Sequence, residues 1–322
     1  MKTIGLLTSG GDAPGANACV AAAAAHAERH GVSVRGIMGG FRGLVQANSV
    51  PVGSELAGLA RRGGSFLGVS RNGALEQELA QQGIAAAMSR CCVDGLVVLG
   101  GGGSLCAAAR ASAAGAPVVG VPCTIDNDVF GTDYSIGFDS AVNKAVRAAD
   151  EILDTAESLS ERVFIIETLG GKAGHIALAT AYAVGADAVF VPEVELNVAE
   201  AARRIKAKTD AGATHGLVVL CENLGTNDIA RELEEIVGRR VRITVLGHTQ
   251  RGGNPTYFDR ARAREFGEVA VDTLLRGDHG TMVAYVGGRT ISVPLCEVAG
   301  KTRPLDVAKY HAMCGGETAR RQ

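Results

Sequence analysis

The sequence has no excess of either charge: 32 Lys and Arg stand against 34 Asp and Glu, a formal net of -2. That balance gives no electrostatic reason to expect a nucleic acid or an acidic membrane as partner, so any basic site must be local. A C-x-x-C pair is also missing. Eight cysteines lie scattered at positions 19, 91, 92, 106, 123, 221, 296 and 314, with no histidine spacing suited to zinc. They read as reduced thiols, and the expected compartment is the cytoplasm. Long apolar runs are absent as well. The alanine-rich stretch from Ala18 to Ala27 gives way to Glu28, Arg29 and His30 and is too short and too polar at its end to span a bilayer. The N-terminal segment lacks the basic, apolar, small-residue order of a secretory signal. Familiar nucleotide motifs are missing too. Asp12 and Leu105 interrupt the two places where G-x-G-x-x-G would fall, and Leu295 stands where a P-loop ending in Gly300-Lys301-Thr302 needs its leading glycine. Hydride transfer and P-loop ATPase chemistry are therefore disfavoured.

What is present is an alternation. Short apolar runs, Ile4 to Leu7, Val32 to Met38, Leu96 to Leu99, Pro117 to Val121, Val163 to Ile166, Ala188 to Val191, Leu217 to Leu220 and Val241 to Leu246, read as buried strands. Helical patterning fills the intervals at 16–29, 103–114, 140–157, 199–211, 228–237 and 261–276. Strand alternating with helix predicts an α/β protein whose mostly parallel sheets carry helices on both faces. With 322 residues, the expectation is two three-layer α/β/α domains with an active-site cleft between them. Ligands in such folds bind beyond the C-terminal ends of the strands. Glycine and charge clusters follow Leu7, Leu99, Val121, Ile166, Leu220 and Leu246.

Four of these clusters carry chemistry. Thr8-Ser9-Gly10-Gly11-Asp12-Ala13-Pro14-Gly15 precedes an alanine-rich helix, so its backbone can approach an anion at a helix N-terminus; a tight turn without a ligand would look the same. Gly100-Gly101-Gly102-Gly103-Ser104 joins a buried strand to a helix, which favours a phosphate nest over a flexible linker. In Pro122-Cys123-Thr124-Ile125-Asp126-Asn127-Asp128, an extended loop would point Asp126 and Asp128 the same way. One could take a proton from a hydroxyl and the other serve a divalent metal, although such residues also cap turns. The last set is basic: Arg162 and Arg242, each at a strand start, and His248-Thr249-Gln250-Arg251-Gly252-Gly253 at a strand end. Arginine forks suit a phosphate dianion.

Together with Gly63-Gly64-Ser65-Phe66-Leu67-Gly68, Gly131-Thr132-Asp133-Tyr134-Ser135-Ile136-Gly137-Phe138 and Val191-Pro192-Glu193-Val194-Glu195, these segments closely resemble the 6-phosphofructokinases along nearly the whole chain. The resemblance implies a glycolytic kinase using ATP and Mg2+ on the 1-hydroxyl of fructose 6-phosphate. It implies a nucleotide-binding domain at 1–137 plus 251–301 and a sugar-phosphate domain at 138–250 plus 302–322. Asp126 would be the general base and Thr124 would position the hydroxyl or the transferred phosphoryl. Arg71 and Arg162 complete the catalytic set, and Asp128 would face the metal. ATP would be held by Gly11, Arg71, Asn72, Gly101, Gly102, Gly103 and Ser104. The sugar would be held by Leu169, Gly170, Gly171, Glu222, His248 and Arg251, with Arg162 and Arg242 reaching its 6-phosphate from a neighbouring subunit of a homotetramer.

The chain also departs from the resembled pattern. Gly102 stands where the family carries an acidic residue serving the magnesium, and Gly171 stands where it carries an arginine. Relatives that use pyrophosphate tend to have Asp at the place of Gly103 and Lys at the place of Cys123, so their absence favours ATP. Basic effector-site residues are replaced by Ala21, Ala25 and, nearby, Gly53. Rival readings are a kinase using pyrophosphate or sedoheptulose 7-phosphate, and a non-catalytic sugar-phosphate sensor.

Overall fold

A computed structural model describes residues 1–70, 83–159 and 161–314. Its contacts divide the chain into two compact units, Met1–Ser140 with Arg251–Arg303, and Ala141–Gln250 with Pro304–Gln322. The first unit contains β1 (Thr3–Thr8), β2 (Ser33–Ile37), β3 (Ser49–Val52), β4 (Gly95–Gly100) and β5 (Val118–Pro122). The second contains β6 (Arg162–Thr168), β7 (Ala188–Phe190), β8 (His215–Cys221) and β9 (Arg240–Val245). The chain then returns to the first unit for β10 (Thr281–Val286) and β11 (Arg289–Pro294).

The seven strands of the first unit run in the order β11-β10-β5-β4-β1-β2-β3. The five central strands are parallel, and β3 and β11 close the edges antiparallel. Period-two alternation sorts the side chains. Leu7, Ile37, Leu96, Val98 and Val118 pack with α2 (Gly40–Val45), α3 (Ile84–Arg90), α4 (Gly102–Ala113) and α10 (Leu295–Val298). The intervening Ile4, Leu6, Val97 and Val119, all fully buried, face the side covered by α1 (Ala16–Arg29) and α9 (Tyr257–Arg276). The central strands are apolar at almost every position because both faces are covered.

The second unit has a four-stranded, all-parallel sheet in the order β7-β8-β6-β9. Phe164, Ile166, Leu217 and Val219 pack with α5 (Phe138–Ser158), α6 (His175–Val184) and α11 (Val307–Met313). Val163, Ile165, Val218 and Leu220 pack on the opposite face with α7 (Val198–Asp210) and α8 (Thr226–Val237). The expected α/β class with mostly parallel sheets is what the chain adopts.

Three strands fall outside the expected set. β3 carries Pro51, which an edge strand tolerates because the missing N–H need not enter a ladder. β10 and β11 form a hairpin closed by Gly287 and Gly288, both with positive φ, as a two-residue primed turn requires. The helix expected from residue 261 begins at Tyr257, because the Thr256 side chain accepts from the backbone N–H of Asp259 and caps it there. Among the described residues no helix is long and apolar enough to cross a membrane.

Candidate active site

The two glycine loops of the first unit meet because their strands do. β1 and β4 are neighbours with Thr8 opposite Leu99, and the Ser9 N–H donates to the Leu99 carbonyl at 2.9 Å. A Cβ on Gly100 would lie 2.6 Å from Ser104 Cβ and 2.9 Å from the Ser9 carbonyl oxygen, so no larger residue fits between the loops. Gly101 caps α4, whose first turn contains Gly102, Gly103 and Ser104. A Cβ on Gly101 would stand 3.4 Å from Thr124 Cβ, and the Cys123 N–H donates to the Gly100 carbonyl at 2.9 Å. Gly11 in the first loop, Gly101 to Ser104 in the second and Thr124 after β5 thus belong to one cluster at the C-terminal edge of the sheet.

The Thr124–Asp128 segment is not the extended loop expected. It turns at Ile125 and Asp126, and Asn127 adopts φ 51°. The exposure pattern nonetheless alternates: Thr124, Asp126 and Asp128 are half-buried while Ile125, Asn127 and Val129 are buried. The turn is held from within. Asn127 Oδ1 accepts from the Ser135 N–H at 2.9 Å, Asn127 Nδ2 donates to the Asp133 carbonyl at 3.3 Å, and Ser135 Oγ donates to the Thr124 carbonyl at 2.7 Å. The Asp126 N–H donates to Thr124 Oγ1 at 3.2 Å. Burial pushes the Asp128 carboxyl above the usual carboxylate range, against the opposing pull of a hydrogen bond from its own backbone.

Sequence reading missed the residue that anchors the segment that follows, from Tyr134 to Ser140. Asp259 is fully buried in α9 and accepts from Tyr134 Oη at 2.8 Å and the Gly137 N–H at 2.6 Å through one oxygen. The Ser140 N–H reaches its other oxygen at 2.8 Å. Burial holds its carboxyl above the usual carboxylate range, and those donors offset only part of that rise. The Thr256-x-x-Asp259 spacing announces a helix start, but nothing local says that the same carboxylate ties down a segment more than a hundred residues earlier. Arg251 also lies in this unit, with Nη1 donating to the Asp12 carbonyl at 3.3 Å and a buried Nε without a hydrogen-bond partner among the described residues.

The candidate sugar residues of the second unit form a different arrangement. The Gly170 and Gly171 N–H groups donate to Glu222 Oε1 at 3.1 and 2.8 Å, and the Leu169 N–H donates to Gln250 Oε1 at 2.7 Å. Glu193 accepts from the Gly174 N–H with both oxygens, at 2.8 and 3.0 Å. Leu169, Gly170, Gly171 and Glu222 therefore stand together beyond β6 and β8. His248 is exposed in the turn that follows β9. Arg162 opens β6 and has a buried Nε without a hydrogen-bond partner among the described residues. Arg242 is not at a strand start: it is the third residue of β9, exposed, and opposite Phe164. Arg71 and Asn72 lie outside the described residues. At the first helix, Ala21 and Ala25 line a cavity of about 580 Å³ to which Arg29, Arg61, Arg260 and Arg264 also contribute, so loss of two cations from α1 does not empty that region of positive charge.

Comparison with known proteins shows the family. The family model described as Phosphofructokinase matches residues 3–274, and the chain belongs to that family. A protein of Halalkalibacterium halodurans named ATP-dependent 6-phosphofructokinase is 39% identical over 313 residues, covering 96% of this chain and 98% of that one. One of the same name from Clostridioides difficile is 40% identical over 312 residues, again covering 96% and 98%. Among solved structures, a Pichia pastoris phosphofructokinase chain superimposes with a TM-score of 0.85 at 30% identity, covering 92% of this chain but only 35% of the longer yeast chain. A pyrophosphate-dependent phosphofructokinase from Marinobacter aquaeolei shares the fold, with a TM-score of 0.84 at 21% identity over 96% of this chain and 86% of that one.

Proposed function

We propose that this chain transfers the terminal phosphoryl group of ATP to the 1-hydroxyl of fructose 6-phosphate, giving fructose 1,6-bisphosphate. The observation that carries the proposal is the single cluster formed by the two glycine loops with Thr124, next to the Asp126–Asp128 turn. In this reading Gly11 and Gly101 to Ser104 receive the nucleotide phosphates on backbone N–H groups at the start of α4, where the helix dipole favours negative charge. Asp126 takes the proton of the sugar hydroxyl as its oxygen attacks phosphorus and the bond to the ADP oxygen breaks. Thr124 orients that hydroxyl, so the chain supplies positioning and charge stabilisation without a covalent intermediate.

The donor set fits one magnesium ligand. Asp128 is a half-buried carboxylate whose ionised form burial disfavours, and Gly102 offers no side chain. Bound with the nucleotide, the ion would neutralise charge on the phosphates. ATP is favoured over pyrophosphate by Gly103, where a Cβ meets nothing within 4 Å and space remains in front of the helix start. The close relatives named as ATP-dependent support the same choice.

Leu169, Gly170, Glu222 and His248 hold the sugar, while Arg162 and Arg242 serve the 6-phosphate of a neighbouring subunit. Arg162 and Leu169 occupy opposite ends of β6, and at the usual strand rise they stand about 20 Å apart, too far for one small sugar phosphate to touch both within one chain. Eight free cysteines suit the cytoplasm.

A coupled assay offering ATP and pyrophosphate separately tests the reading. Product is expected with ATP and Mg2+ only, and its loss in Asp126→Asn with sugar phosphate still bound. Equal turnover with pyrophosphate, or full activity in Asp126→Asn, overturns it. Mixing inactive Arg162→Ala with inactive Asp126→Asn should restore part of the activity through hybrid oligomers. No recovery on mixing would show that each site is built from one chain.

A further inference from the structure

Outside the cluster just described, α1 and α9 bring three metal-ligating side chains together. His26 lies in the last turn of α1 and His30 is the residue that caps its C-terminus, one turn further on, so the two share a face. Asp272 reaches them from α9, 246 residues from His26 in sequence. The two helices can lie close because Gly267 leaves room, and a Cβ there would stand 2.6 Å from the Cys19 carbonyl oxygen. His26 Nε2 lies 2.6 Å and His30 Nε2 3.8 Å from the same oxygen, Asp272 Oδ1, and the three ligand atoms fall within 4.8 Å of one another. The sequence expectation of no zinc spacing was drawn around the cysteines. The pair His26-x-x-x-His30 is visible in the sequence, but its third member comes only from helix packing.

We propose that His26, His30 and Asp272 form a site for a borderline divalent transition metal of the zinc class, with a water completing the coordination. Two imidazoles and one carboxylate are the donor types such ions take, whereas Mg2+ and Ca2+ prefer oxygen alone. Metal–ligand distances of about 2.0–2.2 Å would bring the donor atoms to roughly 3.3 Å from one another. The main movement required is of His30, which is half exposed and has the rotamer freedom to make it. Without metal, neutral His26 donates Nε2–H to Asp272 while its Nδ1 accepts from Arg29 Nη2 at 2.9 Å. Binding places the metal on the Nε2 lone pair and moves the ring proton to Nδ1, so Arg29 must turn away. Arg29 is exposed and keeps Glu268 as a partner at 3.4 Å. An ion held there clamps the end of α1 to α9 within the first unit.

The untagged full chain, stripped with chelator and titrated with Zn2+ in a calorimeter, is expected to bind one ion per chain in the micromolar range. Its thermal midpoint should rise by several degrees. His30→Ala, a change at a half-exposed position that should not impair folding, and Asp272→Asn should each weaken binding about tenfold or more and abolish the thermal gain. Co2+ should bind without an intense cobalt–thiolate band. No binding at millimolar Zn2+, equal affinity in both variants, or a strong thiolate band that assigns the ion to exposed Cys92 or Cys296 would each overturn the site.

Discussion

The strand ends of the two units use acidic side chains in opposite ways. In the second unit Glu222 is committed to the Gly170 and Gly171 amides and Glu193 to the Gly174 amide, so the carboxylates build the loop that follows β6. In the first unit the Asn127 amide holds the turn between half-buried Asp126 and Asp128, and Asp259, deep in α9, holds the segment from Tyr134 to Ser140 that follows. The difference teaches that a carboxylate at a strand end is a candidate for proton transfer only when something else holds its loop. By that criterion Glu222 is first of all the acceptor that organises the Gly170–Gly171 backbone.

Substitutions can break or sharpen this contrast. The largest effect is expected for Asp126→Asn, which should lower kcat by roughly 10²–10⁴, the usual contribution of a positioned general base, with little change in sugar affinity measured by equilibrium binding. Glu222→Gln should chiefly raise KM for the sugar, by about 5- to 50-fold. It replaces a charged acceptor of two backbone amides with a neutral one, a loss of about 1–2 kcal/mol. A kcat loss as large as that of Asp126→Asn would erase the distinction between the two units.

Gly102→Asp should raise turnover at limiting Mg2+ by about tenfold, since a preorganised charge is worth at least that much at a phosphoryl-transfer site. The residue can be accommodated, because a Cβ at Gly102 meets nothing within 4 Å. Unchanged Mg2+ dependence would remove the loop from the metal's neighbourhood. The smallest effect concerns stability. Burial raises the Asp128 carboxyl, so between its unfolded and folded titration ranges the folded chain holds more protons than the unfolded one, and stability falls as pH rises. Asp128→Asn should therefore raise the thermal midpoint at neutral pH without metal by about a degree, with the gain vanishing as pH drops below the unfolded range near 4.

Much of the fold was legible because the central strands are continuous apolar runs and the long helices begin and end on clear signals. β10 and β11 were missed although Gly287-Gly288 marks their turn, because β11 is an exposed edge strand without an apolar run of its own. The glycine loops and the Asp126 segment were legible as chemistry, since glycine beside a helix start has a local physical reason to meet an anion. Asp259, Gln250 and Glu193 were not, because each acts on backbone amides far away in sequence. Arg242 was misplaced because its strand starts at Arg240, one residue before the apolar run that begins at Val241.

By itself the sequence determined the alternation of strand and helix, the residue types at each strand end and the family those residues define, because hydrophobic period and backbone permissiveness are local properties. Only the tertiary structure decided which loops touch, which carboxylates are spent on holding backbone, and that His26 and His30 would find Asp272. Those outcomes depend on strand order and on how closely two helices approach, and neither is encoded in any one segment.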